Sequence, residues 1–475
     1  MNKCPNVSLR RWEPLWYLIV TATVMVFISC ASCALFTDQK MNIVLISMDT
    51  ARRDHYCLYG YDLNTTPFLN GLAEECVVFE NTISQSVNTG PSHASIFTGL
   101  YPHTHGCIFN SSPLPEENLT LAEYLREHDF QTAAFISGYT LKNTLSRLAQ
   151  GFETYSDDFP SGERPGLDVT REALAWLKEK GQEGAFCLFA HYFDAHGPYR
   201  PPEPLNRQFL RTGEERNVQA GFIPRYQRQV NPDGTIRTNI DYYIAQYDGE
   251  IRYTDMQIKI LLDYLREAGL LENTLVVIFS DHGETLDERF HMLDHGSRVT
   301  EEQISIPLLL RFPGGQYGGL RIKDMVQSID IMPTILDYLG LSFPEHLEGF
   351  SLMPLIRGEQ ENSHPFSFTE GKCKAYRYAN MPYQLKSDAV ITSIRDVRWK
   401  LIELPGQDHP YYELYDLVSD PGETVNLLEA RPDKFQELRR QLLAFKAKSK
   451  YPDAIFTPPV DEAVWRELKS LGYVQ

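Results

Sequence analysis

Thr89 lies in the stretch SVNTGPSHASIFTGLYPHTHG (Ser86–Gly106), just ahead of a helix start and with imidazoles around it. Asp281 and His282 end the run VVIFSDHG (Val276–Gly283), and Asp49 follows NIVLISM (Asn42–Met48). His191 and His196 follow AFCLFA. Hard carboxylate oxygens, one imidazole and a threonine oxygen suit a divalent cation, and Mn, Mg, Ca and Zn all accept such a donor set. A hydroxyl is a weak nucleophile until a metal or a base activates it. Thr89 alone reads as an N-cap, and any one Asp here reads as a cap or turn residue. Four such residues at the ends of apolar runs are poorly explained by packing.

These residues are far apart in the chain, so regular elements must gather them. NIVLISM is a continuous apolar run, as a strand buried on both faces requires. QTAAFIS (Gln131–Ser137), AFCLFAHYF (Ala185–Phe193) and TLVVIFS (Thr274–Ser280) read the same way. Helical patterns alternate with them: one opened by Thr66-Pro67, then Leu119–His128, Val169–Lys180 and Ile240–Gly269. The predicted fold class is α/β: a large, mostly parallel sheet sandwiched by helices. In such a sheet ligands collect at the carboxyl ends of the strands, where Asp49, His191, His196, Asp281 and His282 would meet. From about Glu370 the pattern changes. AVITSIRDVRWKLIEL and YYELYDL alternate like antiparallel strands, and RPDKFQELRRQLLAFKAKSK is a helix, which predicts a small C-terminal α+β subdomain. The expected division is a leader at 1–36, a catalytic domain at 40–365 and the subdomain at 366–475. Pro201–Thr238 is polar and aperiodic, and reads as an insertion near the site that forms part of a substrate lid.

Composition narrows the partners. The chain has 475 residues, 43% hydrophobic and 12% aromatic, with a net charge of −18. That balance argues against nucleic acid, whose phosphates recruit Lys and Arg. Arg10 and Arg11 precede the apolar run Leu15–Cys33, which reads as an export signal. A lipidated Cys30 or Cys33 and an uncleaved membrane anchor both fit this segment. The expected location is therefore outside the cytoplasm, in the cell envelope or periplasm or beyond, attached to a membrane. Cys57, Cys76, Cys107, Cys187 and Cys373 match no zinc spacing and suggest buried thiols or one bridge.

DTARRDHYCLYGY (Asp49–Tyr61), TGPSHASIFTGLYPHTHG (Thr89–Gly106), HYFDAHGPYRPP (His191–Pro202), SDHGETLDERFHMLDHG (Ser280–Gly296) and ELYDLVSDPGETVNL (Glu413–Leu427) resemble the sulfatase family of the alkaline phosphatase superfamily. The resemblance implies that family's fold and one divalent metal held by Asp49, Thr89, Asp281 and His282. The adjacent Asp that many members carry is Thr50 here, so the ligand set is smaller. The resemblance also implies catalytic roles for Thr89, His196 and His295, with His196 as general acid near the leaving oxygen. It places His93, His105, Asn110 and His191 near the substrate.

One departure is chemical. The family signature has Cys or Ser, any residue, Pro, Ser, Arg, whereas these positions are Thr89, Gly90, Pro91, Ser92 and His93. Sulfatases convert the Cys or Ser to formylglycine. Oxidation of Thr would give a ketone, so no formylglycine is expected. The Lys and His that usually follow the third strand are also missing from AAFISGYTLKN (Ala133–Asn143). Both departures favour phosphate, phosphodiester or phosphonate esters attacked by Thr89. The alternatives are sulfuric ester hydrolysis, on sulfated glycans or small sulfate esters, and a phosphoglycerol- or phosphoethanolamine-type transferase. A non-catalytic binding protein is the reading from a different class. The implied partner is an anionic ester: a lipid head group, a glycan or a cell-wall polymer.

Overall fold

The computed structural model describes residues 41–160, 162–288, 292–359, 364–375 and 382–451, with Arg466 and Lys469. The leader at 1–36 lies outside them. Among the described residues twelve strands form two sheets. The large sheet holds β1 (Asn42–Met48), β2 (Val77–Ile83), β3 (Gln131–Phe135), β4 (Thr154–Ser156), β5 (Phe186–Tyr192), β6 (Thr274–Phe279), β7 (Ser305–Arg311) and β8 (Arg321–Gln327). Its order is β4-β3-β5-β1-β6-β7-β2-β8. All neighbours pair in parallel except β7, which runs antiparallel to both β6 and β2. The α/β class with a mostly parallel sheet is therefore correct.

The continuous apolar strands follow from burial on both faces. Val44, Ile46 and Met48 of β1 enter one core, with Ile251, Ile258 and Leu261 of the helix Ile240–Glu267. Ile43 and Leu45 enter the opposite core, with Ala94, Ile96 and Phe97 of the helix Thr89–Thr98 and Ile335 of the helix Ile331–Tyr338. The helix Leu121–Glu127 is started by a capping box between Thr120 and Glu123, two residues whose side chains satisfy each other's backbone N–H groups.

The smaller sheet is antiparallel: β9 (Ser367–Lys372), β10 (Val390–Arg395), β11 (Trp399–Leu404) and β12 (Tyr411–Asp416), in the order β12-β11-β10-β9. Alternation gives it two apolar faces. Ile391, Ile402 and Leu404 pack on Val87, Val299 and Met325 of the large-sheet side. Ile394, Leu401 and Leu414 pack on Leu438 and Leu442 of the helix Pro432–Lys446. β9 also bonds to the segment before Thr89, where the Glu370 N–H donates to Gln85 O at 2.9 Å. The second sheet thus grips the approach to the helix that starts at Thr89. All five cysteines among the described residues are free thiols, and among those residues no helix is long and apolar enough to cross a membrane.

Candidate active site

β5, β1 and β6 are consecutive and parallel, so their carboxyl ends form one rim. Asp49 leaves β1 fully buried. Its Oδ2 faces His191 Nε2 at 3.1 Å, and its Oδ1 has no hydrogen-bond partner. Asp281 leaves β6, and its Oδ1 accepts the N–H groups of His282 (2.8 Å) and Thr50 (3.1 Å). Its Oδ2 also lacks a hydrogen-bond partner. His282 Nδ1 donates to Gly283 O at 2.9 Å, which leaves Nε2 as the atom with a lone pair. Ligand atoms of Asp49, Asp281 and His282 all lie within 4.8 Å of one another.

These groups fit a divalent cation. Two buried carboxylates each present an oxygen that no protein donor satisfies, which is unfavourable unless a positive charge sits between them. Burial, and then the neighbouring Asp281, raise the pKa of Asp49 well above the carboxylate range. A cation between the carboxylates would offset both effects. Thr50 supplies a third orphan, a buried Oγ1 with no partner. Its φ of 55° is strained for a β-branched residue. The strain is held by its N–H on Asp281 and by its carbonyl oxygen, which accepts from Tyr247 OH at 2.7 Å. Sequence reasoning treated Thr50 only as a missing ligand.

Thr89 is the first residue of its helix rather than lying just ahead of it. Its Oγ1 lies 3.5 Å from His282 Nε2. The Gly90 N–H donates to Asn110 Oδ1 (2.9 Å) and the Ser92 N–H to Asn88 O (3.0 Å). Pro91 has no N–H, so most of the helix-start donors are used within the protein. Asn110 thus holds the turn at Thr89–Gly90, and its Nδ2 is buried without a partner. Ser92 and Ser84 both donate to Asp281 O, tying the helix that starts at Thr89 to the end of β6.

The histidines separate into two groups. His93 uses Nδ1 on Thr89 O (2.8 Å) and Nε2 on Ser47 Oγ (2.9 Å). His105 accepts the Cys107 N–H at Nδ1 (3.1 Å) and uses Nε2 on Ser95 Oγ (3.0 Å). Burial pushes the His105 pKa down to about 3. Both ring nitrogens of each are thus engaged by protein groups, which makes them positioning residues. His191 stands behind Asp49, and its Nδ1 accepts the Gly138 N–H at 3.4 Å. His196 and His295 belong with the rim. The ring of His295 is 4.7 Å from that of His282 and 4.8 Å from that of His196. His196 stacks on Phe193 at 4.1 Å and uses Nδ1 on Gly197 O (2.8 Å). Burial is the first cause that holds the pKa of both well below the usual imidazole value.

The glycines after His196 and His295 allow close approach. A Cβ on Gly197 would fall 1.8 Å from the Gln227 amide, and one on Gly296 would fall 2.5 Å from Asn88 Nδ2. Gln227 belongs to the predicted insertion. It donates to Leu293 O at 3.3 Å, as does Tyr226 OH at 3.1 Å, so the insertion packs against the loops that carry His196 and His295. Sequence reasoning missed two further residues. Glu284 faces His295 Nδ1 at 3.3 Å and accepts from Tyr199 OH at 3.1 Å. Burial, and then Asp294, push its pKa up to about 8. Glu284 directly follows the DHG motif, so its position was a usable signal. Lys374 Nζ donates to His295 O at 3.2 Å. It arrives from the end of β9, and nothing in its local sequence marks it.

The profile of the sulfatase family matches residues 41–341. A second, described as the C-terminal region of N-sulphoglucosamine sulphohydrolase, matches residues 290–448. Fold and rim define a hydrolase of the alkaline phosphatase superfamily that acts on esters. Within that superfamily the chain belongs to the sulfatase family. It is 24% identical to an N-acetylglucosamine-6-O-sulfatase of Bacteroides thetaiotaomicron, over 94% of this chain and 93% of the relative. It is 26% identical to the multifunctional alkaline phosphatase superfamily protein PehA of Trinickia caryophylli, over 76% of this chain and 85% of that protein. Its structure is similar to that of the phosphonate monoester hydrolase of Agrobacterium radiobacter. That likeness has a TM-score of 0.69 at 22% identity and covers 86% of this chain and 96% of the other.

Proposed function

We propose that the chain is a metal-dependent hydrolase of phosphorus esters in which unmodified Thr89 Oγ1 is the nucleophile. The observation that carries this reading is Thr89 itself, a buried hydroxyl 3.5 Å from His282 Nε2 on the rim shared with Asp49 and Asp281. His93, where the signature has Arg, is spent on Thr89 O and Ser47. The similarity to PehA and to a phosphonate monoester hydrolase supports phosphorus as the reacting atom.

A divalent cation held by Asp49, Asp281, His282 and Thr89 Oγ1 would favour the alkoxide and offset charge on the ester oxygens. Attack forms the Oγ1–P bond as the P–O bond to the leaving alcohol breaks. The proton lost by Thr89 is matched by one gained by the leaving oxygen. His196, its ring fixed by Phe193 and Gly197, would take up the proton that Thr89 releases and pass it to the leaving oxygen. His295, oriented by Glu284, faces the non-bridging oxygens. Water then attacks phosphorus, the Oγ1–P bond breaks, and Thr89 recovers its proton. The apolar segment Leu15–Cys33 would deliver the enzyme outside the cytoplasm and hold it at a membrane.

The second reading is sulfuric ester hydrolysis, favoured by the sulfatase relative matched over 94% of the chain. Chromogenic phosphate monoester, phosphodiester, phosphonate and sulfate esters, assayed with added Mn, separate the two. Phosphorus turnover should exceed sulfate turnover, and Thr89→Ala should lower kcat by about 10³-fold or more. Preferred sulfate turnover, or a mass change on the peptide bearing Thr89, would overturn the proposal.

A further inference from the structure

Three lysines are buried among the described residues: Lys372, Lys374 and Lys400. Lys400 Nζ lies 3.1 Å from Glu301 and 3.0 Å from Glu423. Lys372 Nζ lies 2.9 Å from Asp388. Lys374 is different. Its Nζ donates one hydrogen bond, to His295 O at 3.2 Å, and the carboxylate of Asp294 stands off at 3.8 Å. An ammonium carries three donors, and burying it is unfavourable unless anions or acceptors take them. Lys372 and Lys400 each have a carboxylate within 3.1 Å, whereas the nearest carboxylate to Lys374 among the described residues stands 3.8 Å away and its ammonium lies beside the rim.

The placement is specific. Lys374 touches the backbone of His295, whose ring adjoins those of His282 and His196. Its charge reaches the same imidazoles. Burial is the first cause of the low pKa of His196 and of His295, and Lys374 is a further cause in both. A cation is wanted here, because the Lys and His usual after the third strand are absent and His93 replaces the signature Arg.

We propose that Lys374, supplied by the second sheet, contacts the anionic ester and gives the site its preference for doubly over singly charged substrates. A phosphate monoester dianion matches two cationic groups, the metal and Lys374. This rests on the phosphorus-ester reading above. The alternative is that Lys374 only balances Asp294 and braces the His295 loop.

The test uses the full chain loaded with Mn, with Lys374→Met and Lys374→Arg. Turnover is measured on 4-nitrophenyl phosphate and on its methyl diester, and inorganic phosphate binding is measured by calorimetry. Loss of a charge-assisted hydrogen bond predicts that Lys374→Met lowers kcat/KM on the monoester about 30-fold more than on the diester, and weakens phosphate binding to a similar degree. Mn affinity and melting temperature should stay near wild type, and Lys374→Arg should recover most of the loss. Equal loss on both esters, unchanged phosphate binding, or failure of Arg alongside Met would overturn the proposal. If Lys374→Met does not fold, Lys374→Gln makes the same comparison. If the wild type turns over only a sulfate ester, the phosphorus reading fails, and phosphate binding to the same variants still decides whether Lys374 is an anion contact.

Discussion

Asp49 and Glu423 are both buried carboxylates, and their surroundings differ. Glu423 lies 3.0 Å from Lys400 and accepts the N–H of Glu301 at 2.7 Å. Glu301 in turn pairs with Lys400 and Arg395. This cluster is closed in charge, since even Glu423 Oε1, which makes no hydrogen bond, has the Lys400 ammonium 3.0 Å away. It fastens β10 and β11 to the turn that leads into β7. At the rim, Asp49 and Asp281 face each other with an orphan oxygen apiece. The closed cluster is a fastening between the two sheets. The open one tolerates repulsion and gains a place for an external cation, which is the usual trade between stability and function.

Removing a carboxylate should affect the two clusters in opposite ways. Asp281→Asn should abolish tight Mn binding and lower turnover by about 10³-fold, since the metal-bound charge stabilisation is lost. Yet the variant's chelator-treated form should be no less stable than the wild type treated alike, because one of two like charges is gone. A fall of several degrees in its melting temperature would break the comparison. Lys400→Met should do the reverse. Leaving Glu423 and Glu301 without their shared cation should cost about 3–5 kcal/mol of unfolding free energy, read by urea titration. Mn affinity and activity per folded molecule should be retained.

The closed cluster also has an acid limit. Burial raises the pKa of Glu301, but Arg395 and Lys400 outweigh it and bring the value down to about 2, against an ordinary 4.5. A folded pKa below the unfolded one stabilises the protein above pH 4.5, and the contribution is lost as pH falls toward 2. The stability gap between wild type and Glu301→Gln should therefore be a few kcal/mol near neutral pH and shrink across that window. A constant gap would mean that the carboxylate charge is not what the cluster uses. The smallest expected effect is at Thr50. If its orphan hydroxyl faces the cation, Thr50→Ala should weaken Mn affinity by about tenfold or less by calorimetry. Unchanged affinity would assign that oxygen to packing.

The middle of the large sheet was readable because β1, β5 and β6 are buried on both faces and written as unbroken apolar runs. The flank was not. SIPLLLR carries a proline inside β7, and the polar residues of VVFENTI and RIKDMVQ blur β2 and β8 near the sheet edge. Strand order and the reversed β7 depend on pairings that no local pattern encodes. At the rim, Asp49, Asp281, His282 and Thr89 were legible because each sits at the end of a strand or the start of a helix. The uses of His93 and His105 were not, since they are fixed by Ser47 and Ser95, partners that only the folded chain brings near. Lys374 escaped notice because it belongs to another sheet.

The grip of β9 on the segment before Thr89 bears on how the protein is made. The candidate metal ligands appear early and late in the chain, and β1 gains its two neighbours only once β5 and β6 have been synthesised. β9 comes later still, at translation speeds of about 5–20 residues per second. A growing chain thus carries Thr89 well before it carries the strand that holds the segment ahead of it, or the lysine beside His295. The candidate site is complete only when most of the chain already exists.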